Sequence, residues 1–546
     1  MKLYSEPLSD FSELGHQGIF KATLNAHGLY NTFQFVLRLS PAVHRKLASM
    51  PSGIVSSDRV DLAGMRAFSI YLHETVHWWQ HIGSTYGLMM SMTYPAQAHA
   101  NNVHLKGLVA QIGFKKSIRT LAETLPGDGA DTPGGLANII VNNHFDMESF
   151  RALTVNPFSA EKLVRNPLFE SVGHSYDIAY GNFIALMSSV SDRAFRIIPP
   201  PEAWCEPFRE LREKKVEGYY YGSPVTLHPV GAHEIFEGQA RMAQLQYLHF
   251  ATGGQLDMKV AKDERMLNGV YGDAFYRFLE LSELEEPSSI DHPTIALFLL
   301  ICDIAINPGS GFPFPLVRYE TFIHDINPGT RFVYLCTVAR LKCPEVRDSI
   351  RHYSRKEYEE VSQTLCDAIV EESPLQIAKE FSQWIKEPEF QPLMAEHESF
   401  RFQKSNLAAR VLFSHFLDFT LDKGKRPEFF CWPGAWMAGD RASNDAMKLF
   451  ERHSALFVDK EDDDGIFPRL VSGRIESDVQ ETFDYFYANN IIFDLTRQWI
   501  TEPGPFKFRY QWLSQKDSSE DMQRFAERSF ESAYGVVPSK VSVLNE

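Results

Sequence analysis

The sequence predicts a mainly α-helical chain, α+β by class, with one small β element near its N-terminus. Three observations carry that expectation. Apolar residues return at three- and four-residue steps through most long segments, the period of a helix with one buried face. Stretches bearing glycine and proline punctuate those segments. Only one run, Leu29 to Leu39 (LYNTFQFVLRL), sets β-branched and aromatic residues in the partial alternation of a strand.

Taken in order, the strand ends at Pro41, and Ser56, Ser57 and Asp58 lead into a helix. Leu62, Met65, Phe68, Leu72, Val76 and Trp79 form its apolar stripe, with Asp61 as N-cap and Gly83 as stop. The Met-rich segment after Gly83 reads as a second helix. Residues 125–137 (LPGDGADTPGGLA) are a loop, and His144, Asp146 and Glu148 form a polar cluster of the kind that caps a helix end. Helical patterns cover about 175–196 and 201–217. Gly218 to Pro224, with Tyr219, Tyr220 and Tyr221 inside it, interrupts them.

The next helix runs from His228 to about Phe250. Phe236, Ala240, Ala243 and Tyr247 make its apolar stripe, and Glu234, Glu237, Arg241 and Gln244 the polar one beside it. A polar, proline-bearing stretch from Glu285 to Pro293 divides the chain into expected domains 1–285 and 286–546. Beyond it, Ile306-Asn-Pro-Gly309 and Ile326-Asn-Pro-Gly329 read as turns. Helices follow at about 344–372, 374–387, 404–422, 441–458, 474–500 and 518–533. Lys460 to Gly465 is an acidic turn and no calcium loop, because Lys460 stands at the first ligand position and Val471 at the closing one.

One stretch carries chemistry: His73-Glu74-Thr75-Val76-His77. On a helix, residues four apart share a face one turn apart. Two imidazoles so placed can bind one Zn²⁺, with the glutamate between them beside the attacking water. With this HExxH motif the chain resembles the zinc metallopeptidases called zincins. The resemblance implies a zincin-like catalytic half, residues 1–285; the helical second half, residues 286–546, is read from its own pattern as selecting substrate or partner. The resemblance also implies a protein or peptide substrate, zinc held in part by His73 and His77, and Glu74 as general base.

A catalytic zinc site takes three protein ligands and leaves one position open. His81, eight residues after His73, lies about 12 Å along the same helix and cannot join the other two. The glutamate-ligand zincins supply a carboxylate from a second helix, and Glu237 is the first candidate, flanked by small Gly238 and Ala240; Glu234 is the second. Arg241, one turn after Glu237, is the alternative partner for that carboxylate. Asp146 and Glu148 are reserves. His233 and Tyr220 are candidates for contacting substrate or the developing oxyanion.

Composition narrows the classes further. A net charge of −16 opposes binding to nucleic acid or an anionic membrane surface. The N-terminus shows no apolar signal region, and the longest apolar run, Thr294 to Ile306, is broken by Asp303 and too short to span a bilayer. Six scattered cysteines with no CxxC pair read as reduced thiols of a cytoplasmic protein. Two other readings stay open. Glu74-Thr-Val-His77 also resembles the ExxH of carboxylate-bridged di-iron helical proteins, with Glu234 and Glu237 as bridges, although the one other ExxH, Glu13-Leu-Gly-His16, lies in a glycine-flanked, poorly helical stretch. A non-enzymatic helical scaffold is the other.

Overall fold

The expected strand is a hairpin. In the computed structural model, which describes residues 28–49, 62–127, 129–226, 228–461, 463–514 and 516–544, β1 (Gly28–Asn31) and β2 (Val36–Leu39) pair antiparallel, Gly28 opposite Leu39. Phe35, at φ 55°, turns the chain between them. Pro41 opens α1 (Pro41–Ala48), where its missing N–H leaves no helical bond unmade.

The motif lies on α2 (Leu62–Ile82). Asp61 and the polar lead-in from Ser56 lie outside the described residues, as does Glu13-Leu-Gly-His16. The helix stops where glycine was expected to stop it: the Gly83 N–H returns to the Trp79 carbonyl at 2.7 Å. A Cβ at Gly83 would stand 2.2 Å from the Phe419 ring, so only glycine lets the chain turn there. Ser84 then caps α3 (Thr85–Ile112), accepting the Gly87 N–H at 2.9 Å.

The polar trio His144, Asp146 and Glu148 falls in the middle of α4 (Pro133–Val155), not at its end. Asp146 accepts from Ser175 Oγ at 2.9 Å on α5 (Val172–Val190), and Glu148 pairs with Arg151 at 2.7 Å, so both carboxylates are spent on packing. α6 (Ala232–Ala251) begins later than His228 because Gly231 is its extended N-cap. α7 (Val270–Ser282) and α8 (Pro293–Ala305) follow.

The second Asn-Pro-Gly is not a plain turn. Asn327 caps α9 (Pro328–Leu341), accepting the Thr330 N–H at 3.0 Å. After α10 (Leu407–Lys425), the helix expected to 458 ends at Arg452. The chain becomes β3 (Phe457–Lys460) and β4 (Asp463–Pro468), paired antiparallel, so most of the expected acidic turn Lys460 to Gly465 belongs to the two strands. α11 (Glu476–Thr501) comes next.

The four strands form one sheet in the order β1-β2-β3-β4, with β2 and β3 parallel, Val36 opposite Phe457 and Leu37 opposite Val458. The fold is thus mainly helical with a small sheet built on the N-terminal hairpin. No helix among the described residues is long and apolar enough to cross a membrane.

The core centres on α2. Its most extensive helix partner is α6, and α1, β1, α3 and α10 pack around it too. Trp79 inserts among Phe419, Phe429, Phe430 and Phe450, ring centres 5.2–6.1 Å away, and its indole N–H donates to the His453 carbonyl at 2.8 Å. A buried indole of this kind stabilises a fold by about 3–5 kcal/mol relative to alanine. Elements from both sides of residue 285 therefore fix the orientation of one helix.

Candidate metal centre

With its rear face held by aromatic packing, α2 turns His73, Glu74 and His77 into a cavity of about 990 Å³. The cavity runs from β1 and α1, past α2 and α6, to Tyr271 on α7. His73, Glu74 and Glu237 are mostly buried. Glu237 meets the two imidazoles across the α2–α6 contact, its Oε2 standing 3.7 Å from His73 Nε2 and 3.4 Å from His77 Nε2, with the two nitrogens 3.2 Å apart. Ligands about 2.0–2.1 Å from a tetrahedral zinc ion lie about 3.3 Å from one another, so the triangle has the right size.

Hydrogen bonding fixes which nitrogen of His77 faces that triangle as acceptor. The Gln80 amide N–H₂ donates to the Phe236 carbonyl and to Gln239 Oε1, both at 2.9 Å. Gln80 Oε1 is thereby pointed at His77 Nδ1, 2.8 Å away, and accepts its proton. The lone pair of the neutral ring is left on Nε2, toward His73 and Glu237, as a metal ligand held by an outer partner requires. Glu237 Oε2 is buried, with the two imidazole nitrogens as its neighbours but in no well-formed hydrogen bond. A cation would satisfy it. The donor set and its spacing fit zinc.

Protonation agrees with a cluster of negative potential. Burial pushes His73 down to about 4, so it is neutral at pH 7. Burial also presses on His77, but the Glu237 carboxylate, helped by Glu74, outweighs it and raises His77 to about 9. The same imidazoles hold Glu237 well below the usual carboxylate range despite its burial. The metal-free cluster therefore carries one extra proton, on His77. Burial lifts Glu74 up to about 7, opposed by His77 and reinforced by Glu237, which puts a proton acceptor near neutrality. β1 lies against this carboxyl: a Cβ at Gly28 would fall 2.7 Å from Glu74 Cγ, and the Tyr30 backbone N–H donates to it.

The other sequence candidates separate. Glu234 is a helix cap, taking the Gly231 N–H at 2.8 Å, and does not line the cavity. Tyr220 does not line it either; it sits in a turn where its carbonyl accepts the Ser223 N–H. His233 does line it, with a buried Nε2 that has no partner. His81 lines it outside the ligand triangle, its ring edge-on to Phe236 at 5.2 Å. Gly238 faces Ala274 of α7 and Phe298 of α8. Spacing alone left Tyr271 unassigned and offered Arg241 as the partner of Glu237, which it is not. Tyr271 has its ring 6.0 Å from His73, and Arg241 stacks on Tyr271 at 4.0 Å without pairing with Glu237.

A second group, Asp418, Asp422 and His453, also brings ligand atoms within 4.8 Å of one another. There Arg452 reaches both aspartates, and Lys425 Nζ lies 2.9 Å from Asp422, so the protein's own cations occupy it. Compared with protein-family models, curated proteins and solved structures, the chain matches none.

Proposed function

We propose that the protein is a zinc-dependent metalloprotease of the glutamate-ligand zincin type, hydrolysing a peptide bond. His73, His77 and Glu237 would hold the ion. Its chemistry when bound is that of a Lewis acid, which acidifies water and polarises a carbonyl. Glu74 takes the proton of the attacking water and later delivers it to the leaving nitrogen. His233 and Tyr271 bring hydrogen-bond donors into the cavity for the charge that develops on the carbonyl oxygen, and Tyr271 replaces Tyr220 in that role. The cavity floor, backed by β1 and α2, keeps Glu74 away from bulk water.

The observation that carries this reading is the triangle of acceptor atoms with edges of 3.2–3.7 Å and the His77 tautomer that Gln80 imposes. The test is metal content and peptide cleavage of wild type beside Glu74→Gln. Wild type should hold about one zinc per chain and cleave a peptide pool; Glu74→Gln should keep the zinc and lose turnover. Full cleavage by the variant removes Glu74 from the mechanism. The competing reading is a metal-free scaffold in which protonated His77 and Glu237 form an ion pair, favoured by the raised His77 pKa. It predicts purified protein that takes up no zinc. A di-iron centre needs carboxylates beyond this three-residue cluster, and among the described residues no further one joins it.

A further inference from the structure

This inference rests on the zinc reading above. We propose that Arg241 anchors a substrate carboxylate lying one residue beyond the bond to be cut.

Arg241 follows Glu237 by one turn of α6 and lines the same cavity. Its guanidinium lies over the Tyr271 ring, and one terminal nitrogen donates to Gln244. Its Nε is buried with no hydrogen-bond partner. Neither carboxylate of the cavity floor pairs with it. Glu237 faces the two imidazoles, and Glu74 backs onto β1.

Charge accounting sharpens this. Two carboxylates, Glu237 and Glu74, balance a divalent ion in the cluster. Arg241 is then left without a carboxylate of its own on the floor, and a half-buried cation without an anion is costly. The exposed rim leans the same way: Arg66 and Arg265 line it against Glu264, although the whole chain carries −16. Such a field draws an anion inward.

The shape of the group selects the anion. A planar fork stacked on a ring presents its edge, and that edge matches a carboxylate bidentately. Length selects the position. One extended residue spans about 3.3–3.6 Å, and the contacts at its two ends add about 2 Å and 2.8 Å. The sum, about 8 Å, is on the scale of the rise of about 6 Å between positions 237 and 241. The carboxylate is either the C-terminus of the substrate, making the enzyme a carboxypeptidase, or an acidic side chain in that place.

The test is equilibrium binding to the zinc-loaded protein of three probes: N-acetyl-phenylalanyl-leucine, its carboxamide, and N-acetyl-phenylalanyl-aspartate α-amide. Zinc content is measured on the same samples. At least one carboxylate probe should bind about ten- to a hundredfold more tightly than the carboxamide, the range for a hydrogen bond to a charged group. Preference for the first marks the C-terminus, and preference for the third marks the side chain. Arg241→Met should abolish the difference with zinc unchanged, and Arg241→Lys should recover part of it. Wild type that holds zinc without preferring either carboxylate overturns the anchor and leaves the hydrolase reading intact. So does a preference that survives in Arg241→Met. A wild type that holds no zinc rejects the hydrolase reading, and the anchor with it.

Discussion

Two clusters of histidine and carboxylate flank the motif helix, alike in composition and opposite in surroundings. In front of α2, His73, His77 and Glu237 face one another, and among the described residues no lysine or arginine nitrogen is in ion-pair contact with them. Behind it, Asp418, Asp422 and His453 are threaded by Arg452 and Lys425, while His453 Nε2 bonds Asp422 at 3.0 Å. Imidazole and carboxylate atoms gathered within 4.8 Å of one another thus have two meanings. Ligand geometry points to a metal where the chain supplies no cation of its own, and to a structural charge network where it does. The second cluster is already neutralised by the chain's own cations; in the first, the proposed zinc would supply that charge.

The largest effect that tests this contrast comes from removing one carboxylate from each side. Glu237→Ala should abolish zinc retention, measured as metal per chain after dialysis. Asp422→Ala should keep the zinc and instead lower unfolding free energy by about 1–3 kcal/mol in denaturant titration, because His453 and Lys425 lose their partner. Loss of zinc from Asp422→Ala, with the fold intact, would erase the distinction.

A smaller effect isolates the tautomer. Gln80→Leu removes the acceptor for His77 Nδ1 while leaving the three ligands in place. Zinc affinity in a chelator competition should fall about 10–100-fold, the usual weight of such outer partners. Unchanged affinity would mean that helix packing alone orients His77.

The mildest probe is pH, where the clusters should respond at opposite ends. In metal-free protein the folded pKa of His77, about 9, lies above its unfolded value of about 6.5. The charged ring then contributes stability in full below about pH 6.5, and that contribution fades as pH rises toward 9. Zinc must displace the same proton, so its apparent affinity should climb over this range. In the rear cluster Asp418 and Asp422 are held low, against their burial, by His397, His453, Arg452 and Lys425. Their contribution is present above the unfolded carboxylate value of about 3.9 and is lost as pH falls below it. Thermal melts across pH 3–10, with and without zinc, read both slopes.

Much of the front cluster was legible because one helix encodes it. The spacing of His73 and His77 is a local fact, and the stop at Gly83 is too. Glu237 could be proposed from the polar stripe of α6, since a carboxylate there needs a partner. Glu234 was misread although its signal was present: three residues after Gly231, it occupies the reach-back position of a capped helix. Tyr271 and the stacking of Arg241 were not legible, because they depend on how α6 crosses α7, which no local pattern encodes. The β3–β4 hairpin was missed for a related reason. Its segments are short, and β3 owes its state to β2, whose sequence lies far upstream.

That distant pairing bears on how the protein is made. Positions 36 and 457 are neighbours in the sheet but about 420 residues apart along the chain. At ribosomal speeds of about 5–20 residues per second, roughly 20–80 s separate the emergence of the two strands. Until the later one arrives, β2 has an open edge. The hairpin that lays Gly28 and Tyr30 over Glu74 then lacks its neighbour. A nascent chain therefore carries this hairpin without its parallel neighbour until the segment around residue 457 has been made.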